Sequence, residues 1–179
     1  ALAICRLATG SGVRSIAIGE SSAASNTDAT AIGSVSMASN SNALAIGTSS
    51  MATASGSLAL VNTAKASAGN AVAIGAASRP DTSNATTLGF NNVAIANSTG
   101  LLALIGGGLS QSTGNNSVHL GPIFTTAHSG DNSVVFGGSF QANTGDNNTV
   151  FGATCNFDDT FTVRGTPTAN NQIIFGNNA

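Results

Sequence analysis

Ser15-Ile16-Ala17-Ile18-Gly19, Ala43-Leu44-Ala45-Ile46-Gly47 and Ala71-Val72-Ala73-Ile74-Gly75 are three copies of one pattern. Ile18, Ile32, Ile46, Leu60, Ile74 and Leu88 succeed one another at a fixed interval of fourteen residues, and Ile4 extends the series upstream. The residue after each of the six is Gly19, Gly33, Gly47, Val61, Gly75 or Gly89, and the residue before is Ala17, Ala31, Ala45, Ala59, Ala73 or Thr87. An internal period fixes architecture before any local propensity does. Fourteen residues are too few for a helix pair, a propeller blade or a leucine-rich unit. They suit one coil of a β-solenoid, two short strands and two corners.

Composition points the same way. Charged residues are 7% of the 179, against about 25% in an ordinary globular domain. Trp and Tyr are absent, and all eight Phe lie from Phe90 onward. A compact globule made of Ala, Ser, Thr, Gly and Asn cannot bury enough apolar area to offset chain entropy. A solenoid can, because each coil pairs its backbone with the next.

Alternation through the repeat makes a strand of residues such as Ile16 and Ile18, with Ser15 and Ala17 on the other face. The expectation drawn from this is that the Ile/Leu column fills the solenoid. Ala17, Ala31, Ala45, Ala59 and Ala73 would then pack against other copies of the chain around a common axis, giving a homotrimer. The reverse assignment, Ala in a cramped interior and Ile/Leu toward a partner, also buries both faces. Ala24, Ala38, Ala52 and Ala66 mark the opposite strand, each succeeded by a hydroxyl residue. Asn26, Asp28, Asn40, Asn42, Gly56, Gly69 and Asn70 are expected to supply the positive φ that sharp corners need.

After Leu88 the register changes. Gly114-Asn115-Asn116-Ser117-Val118-His119-Leu120-Gly121 begins a second repeat of fifteen to sixteen residues, continued by Gly130 to Gly137 and Gly145 to Gly152 and echoed by Gln172 to Gly176. The chain thus divides into three stretches: residues 1–89, a regular fourteen-residue-repeat β-roll; 90–108, a transition; and 109–179, a looser solenoid and tip. His119, Val135, Val150 and Ile174 replace the Ala column, so packing there must be wider. Phe136, Phe151 and Phe175 fall in the Ile/Leu column and are expected to be core.

The quoted pentapeptides resemble the head repeat of trimeric autotransporter adhesins, the YadA-like head, over residues 1 to 89, with a looser echo from 114 to 176. The resemblance implies an all-β, left-handed parallel β-roll or β-solenoid with coils of about fourteen residues, trimeric, extracellular and exposed on a cell or virion surface. It also implies attachment to a host surface. Similar repeats occur in phage and viral fibres, so either origin is consistent with the pattern.

The residues exclude several function classes. Net charge is −2, and Arg6, Arg14, Lys65, Arg79 and Arg164 form no basic patch, which argues against a nucleic-acid partner. The apolar run Leu101 to Ile105 is far short of a membrane span. No signal peptide is visible before Ala1, which reads as a processed or excised segment. Cys5 and Cys155 would lie about 40 Å apart in stacked coils, beyond a disulfide, and Cys5, in the glycine column, reads as a small packed thiol. No nucleophile triad, phosphate loop or zinc-spaced cluster is present, and no cofactor is expected. Adjacent Asp158 and Asp159 point to opposite faces of a strand and make a poor acid pair. His119 is better read as a packed strand residue than as a metal ligand. The sequons at Asn84, Asn97, Asn115 and Asn147 bear on function only in a source that glycosylates.

The expected function is therefore a non-enzymatic trimeric fibre or adhesin head bound to a cell-surface glycan or protein receptor. A purely structural filament or fibre shaft is the alternative. An ice-binding solenoid is a lesser one, disfavoured because the Ser25, Ser39, Thr53, Ser67 column is poor in Thr. Aromatic, Arg and adaptable polar residues dominate recognition surfaces, and Phe90, Phe124, Phe140, Phe157, Phe161, Arg164 and both histidines come late here. Phe124, His128, Phe140, Phe157 and Arg164, off the strand register, are the candidate receptor contacts.

Overall fold

The computed structural model describes residues 1–94, 104–106, 111–112, 116–120, 131–136, 146–147, 149–152 and 173–176. No helix occurs among them, and all strand pairing is parallel. Three-residue strands β1 (Leu2–Ile4), β3 (Ile16–Ile18), β5 (Thr30–Ile32), β7 (Leu44–Ile46), β9 (Leu58–Leu60), β11 (Val72–Ile74) and β13 (Thr86–Leu88) stack in one sheet. Two-residue strands β2 (Thr9–Gly10), β4 (Ala23–Ala24), β6 (Met37–Ala38), β8 (Met51–Ala52) and β10 (Lys65–Ala66) stack in a second. A third, shorter sheet continues with β12 (Arg79–Pro80), β14 (Val93–Ala94) and β16 (Gln111–Ser112).

Each residue pairs with the one fourteen later: Ala17 with Ala31, Ala31 with Ala45, Ala45 with Ala59. The chain is thus a β-solenoid, with six regular turns between Leu2 and Leu88. The first sheet continues through β15 (Leu104–Gly106), β17 (Val118–Leu120), β18 (Val134–Phe136), β19 (Thr149–Gly152) and β20 (Ile173–Gly176), twelve strands in all. His119, Val135, Val150 and Ile174 carry on the register of the Ala column, as the second repeat predicts, and Ile105 stands in it as well.

The core corrects the face assignment. Ala17, Ala31, Ala45, Ala59 and Ala73 are 0% exposed inside a single chain, so no partner can reach them. They face Ala24, Ala38, Ala52 and Ala66 of the second sheet, which are equally buried, and Ser or Ala completes the set at positions such as Ser15, Ser22, Ala29 and Ser36. Ile16, Ile18, Leu44, Ile46, Leu58, Leu60, Val72 and Ile74, expected to be core, point outward and are half-buried. Phe136 shares their column and is half-buried too, whereas Val135 is the fully buried neighbour. The reason is coil length. A seven-residue half-coil spends its residues on one strand and one corner, and two strands so closely joined leave room between them for Cβ-sized side chains only.

The corners show how this tight winding is held. A residue with φ near +57° recurs every seven positions, as at Arg14, Ser21, Asp28, Val35, Asn42, Ser49, Thr63 and Asn70. This conformation aims the N–H along the rod: Asp28 donates to Val13 O at 2.9 Å, Val35 to Glu20 O at 2.8 Å and Asn42 to Thr27 O at 3.0 Å. The left-handed conformation costs an L-residue roughly 1–2 kcal/mol, and an intramolecular hydrogen bond contributes about 1 kcal/mol net, so register and packing supply the rest. Asp28, Asn42, Gly56 and Asn70 have positive φ as the sequence predicts, while Asn26, Asn40 and Gly69 do not. Asn26 and Asn40 instead donate their side-chain amides to Ser39 O (2.6 Å) and Thr53 O (2.9 Å) of the next coil. Asn116, Asn132 and Asn147 take the same corner conformation in the second repeat.

Glycine is required where the strand leaves the first sheet. Gly33 has φ +129°, and a Cβ there would lie 2.6 Å from the Gly47 backbone. Cys5 stands in this column at φ +99° but is exposed, which corrects its reading as a packed thiol.

An interior of this width makes a direct prediction. Ala45→Leu should lower stability by at least about 1–3 kcal/mol in denaturant unfolding, because the methyl-sized neighbours around it cannot withdraw. An unchanged midpoint would show that the Ala column is not the interior.

Candidate interaction surfaces

With the small residues inside, the large ones define the outer surfaces. The outer face of the twelve-stranded sheet carries two apolar residues per coil: Ile16 and Ile18, Leu44 and Ile46, Leu58 and Leu60, Val72 and Ile74. Thr30 and Thr86 interrupt one of the two columns. At about 4.8 Å per strand, the seven strands of this sheet from β1 to β13 make this face roughly 30 Å long. Leu2 (47% exposed), Ile4 (46%) and Leu88 (37%) show how open it is at either end of the regular coils. A contiguous apolar surface of this extent marks an interaction site.

The second sheet presents a different face. Ala23, Met37, Met51 and Lys65 form one outward column, and Ser25, Ser39, Thr53 and Ser67 stand one residue after the buried Ala column. Charge is concentrated at a few coils. Arg6 Nη1 lies 3.0 Å from Glu20 Oε1, and Arg14 binds Asp28 through two hydrogen bonds of 2.6 Å. Both pairs bridge successive coils. Arg79 Nε pairs with Asp81 Oδ2 at 2.6 Å, and Asp81 Oδ1 accepts from Ser67 Oγ at 2.7 Å. From Ala29 to Ala64 there is no charged side chain at all.

The candidate receptor contacts Phe124, His128, Phe140, Phe157 and Arg164 lie outside the described residues, as do Cys155, Asp158 and Asp159. His119 occupies the register position of the inner Ala column. Asp131 and Asp146 sit at successive corners, where the Asp131 N–H donates to Asp146 Oδ1 at 2.9 Å. Among the described residues, no three His, Cys, Asp or Glu side chains come together as a metal site, and no helix is long and apolar enough to cross a membrane. Alternation alone misses the outward apolar face. Its signal in the sequence is the second Ala column seven residues after the first, which places small residues on both sides of one interior.

The Arg14–Asp28 pair gives the first coils a pH dependence. The hydrogen bond from Arg14 holds the Asp28 carboxyl below its ordinary range, partly opposed by desolvation and reinforced by the guanidinium charge. A depressed carboxyl stabilises the fold above its unfolded pKa and loses that contribution as pH falls through the folded value. Below the ordinary Asp range, the protection of the Asp28 and Ile16 amides against hydrogen exchange should therefore drop relative to its level near neutral pH. Asp28→Asn should show the lower protection under both conditions. Protection unaffected by either change would remove the pair from the account.

No curated protein matches the chain. The family model of the YadA head domain repeat matches it twice, over residues 11–36 and 38–60. Both matches fall within the regular coils, on the alternation of outward Ile/Leu, inward Ala and corner Gly described above. Residues 11–36 and 38–60 of this chain are thus similar to the YadA head domain repeat.

Proposed function

We propose that this chain is the head of a non-enzymatic homotrimeric fibre or adhesin that attaches to a cell surface, carried by a bacterium or a virion. The observation that carries this reading is the outward Ile/Leu face of the twelve-stranded sheet. A rod with one apolar face loses that exposure when copies pack the same face around a parallel axis, which closes the assembly and leaves no apolar end-to-end contact. The head-repeat match supports three copies and an adhesin role, because the resemblance implies both. Once the axial face is covered, the hydroxyl-rich second sheet and the corners form the outside of the fibre.

Receptor contact is assigned to the second half of the chain, at Phe124, His128, Phe140, Phe157 and Arg164. Residues 1–89 contain no aromatic side chain, and Arg6, Arg14 and Arg79 there are already engaged in ion pairs, which makes this stretch a poor source of binding energy. The longer coils after Leu88 supply the aromatic side chains. The competing reading, a structural shaft without a receptor, shares the assembly and differs only in binding.

Two measurements separate the possibilities. Light scattering should give three times the chain mass for the native protein. Leu44→Glu with Ile46→Glu should reduce it to one while the circular dichroism stays that of a β-solenoid, since both side chains point outward. A native monomer would overturn the assembly. Whole-cell or glycan-array binding that is lost in Phe157→Ala and Arg164→Ala, with the trimer intact, is expected for an adhesin; a trimer that binds no surface would favour the shaft.

A further inference from the structure

Among the described residues, the ladder of the second sheet is interrupted at one level. Strands β2 to β10 form one ladder and β12, β14 and β16 another, while the first sheet runs unbroken past the same level. Pro80 stands in the buried column held by Ala24, Ala38, Ala52 and Ala66 in the preceding coils, and it has no N–H to give to the strand before it. In the regular coils Ser25, Ser39 and Thr53 donate to Ala38 O, Ala52 O and Ala66 O at 2.9–3.0 Å. Ser67 makes no such bond to Pro80. Across the gap, the Lys65 N–H still reaches Ser78 O at 2.9 Å, and the Ser67 hydroxyl reaches Asp81 Oδ1 at 2.7 Å.

The coil beyond the gap is built differently from the others. Ser22, Ser36 and Ser50 turn their hydroxyls back to their own corners, onto Gly19 O, Gly33 O and Gly47 O. Ser78 instead sends its hydroxyl across the interior to Thr87, 2.5 Å from Oγ1. Asn92 fills the next Ser position and donates to Leu88 O at 2.5 Å. Ser78, Thr87, Pro80 and Asn92 are all fully buried. Polar bonds therefore tie the two sheets of this coil to each other at the level where the second ladder lacks the bonds of Pro80 to the coil before.

We propose that the gap between β10 and β12 is a one-sided hinge, at which the second sheet opens while the first stays closed and the rod bends. The first sheet is the leaf that holds: Leu58 N–H to Ala71 O (2.9 Å), Val72 N–H to Ala85 O (2.8 Å) and Gly89 N–H to Ile74 O (2.8 Å) continue across the level of the gap. Ser67 and Asp81 form the clasp on the opening side. The cross-tied coil of residues 78–92 turns as one body on the far side of the gap. Fibre bending is thereby confined to one level near the end of the regular coils.

Amide hydrogen exchange of the full chain tests this, with Lys65 as reporter because its bond is present in the closed state. Its equivalents in the uninterrupted ladder are Met37 (to Ser50 O, 2.9 Å) and Met51 (to Ala64 O, 2.8 Å). Lys65 should exchange at least about tenfold faster than both, while Val72 on the opposite sheet matches Leu44 and Leu58. Pro80→Ala, which installs the residue of the four preceding coils, should bring Lys65 to the rate of Met51. Lys65 as slow as Met51 in the native chain would mean a static gap. Lys65 and Val72 exchanging at one rate would mean that the whole coil frays. Either result, or a Pro80→Ala variant with Lys65 unchanged, overturns the hinge.

Discussion

Everything in this molecule depends on an interior that admits no side chain larger than Ala or Ser over most of its regular coils. The half-coil is seven residues long, and a strand of two or three residues with a corner of four or five uses all of them. The two sheets are therefore held close, and Ala17 to Ala73 meet Ala24 to Ala66 across the gap. A core of methyl groups buries little apolar area per residue. Stability must come instead from the backbone, which is paired from coil to coil at strands and corners alike. The price is conformational: one residue in seven adopts the left-handed region, including Val35 and Thr63, for which it is uncomfortable.

The same constraint explains where the large side chains go. Ile and Leu are excluded from the interior and stand on the outer face of the twelve-stranded sheet, where a single chain leaves them half-covered. The apolar residues are thus allocated to the outer face of one sheet, and the core is left to the smallest side chains. In the longer coils the balance shifts, since Val135 enters the inner column that Ala holds earlier.

Much of this is legible in the sequence, for identifiable reasons. The fourteen-residue interval of Ile18 to Leu88 fixes the register, because parallel stacking pairs like with like. Asp28, Asn42 and Asn70 mark one corner, since Asn and Asp tolerate positive φ. The other corner is invisible: Val35, Ser49, Thr63 and Ala77 have no preference for it, and only the pull of the N–H toward the preceding coil puts them there. Which face is inside is ambiguous from alternation alone, because Ile-out with Ala-in gives the same period as the reverse. The candidate contacts Phe124, His128, Phe140, Phe157 and Arg164 rest on composition, and no repeat position fixes them.

The central claim is that Ile and Leu meet other chains while Ala does not. Isotope-filtered NOE spectroscopy on a mixture of labelled and unlabelled protein reads this contact by contact. The account predicts intermolecular NOEs from the Ile18, Ile32 and Ile46 methyl groups, and none from those of Ala17, Ala31 and Ala45. Intermolecular NOEs from the Ala methyls, or solvent-exposed Ile methyls without them, would contradict it.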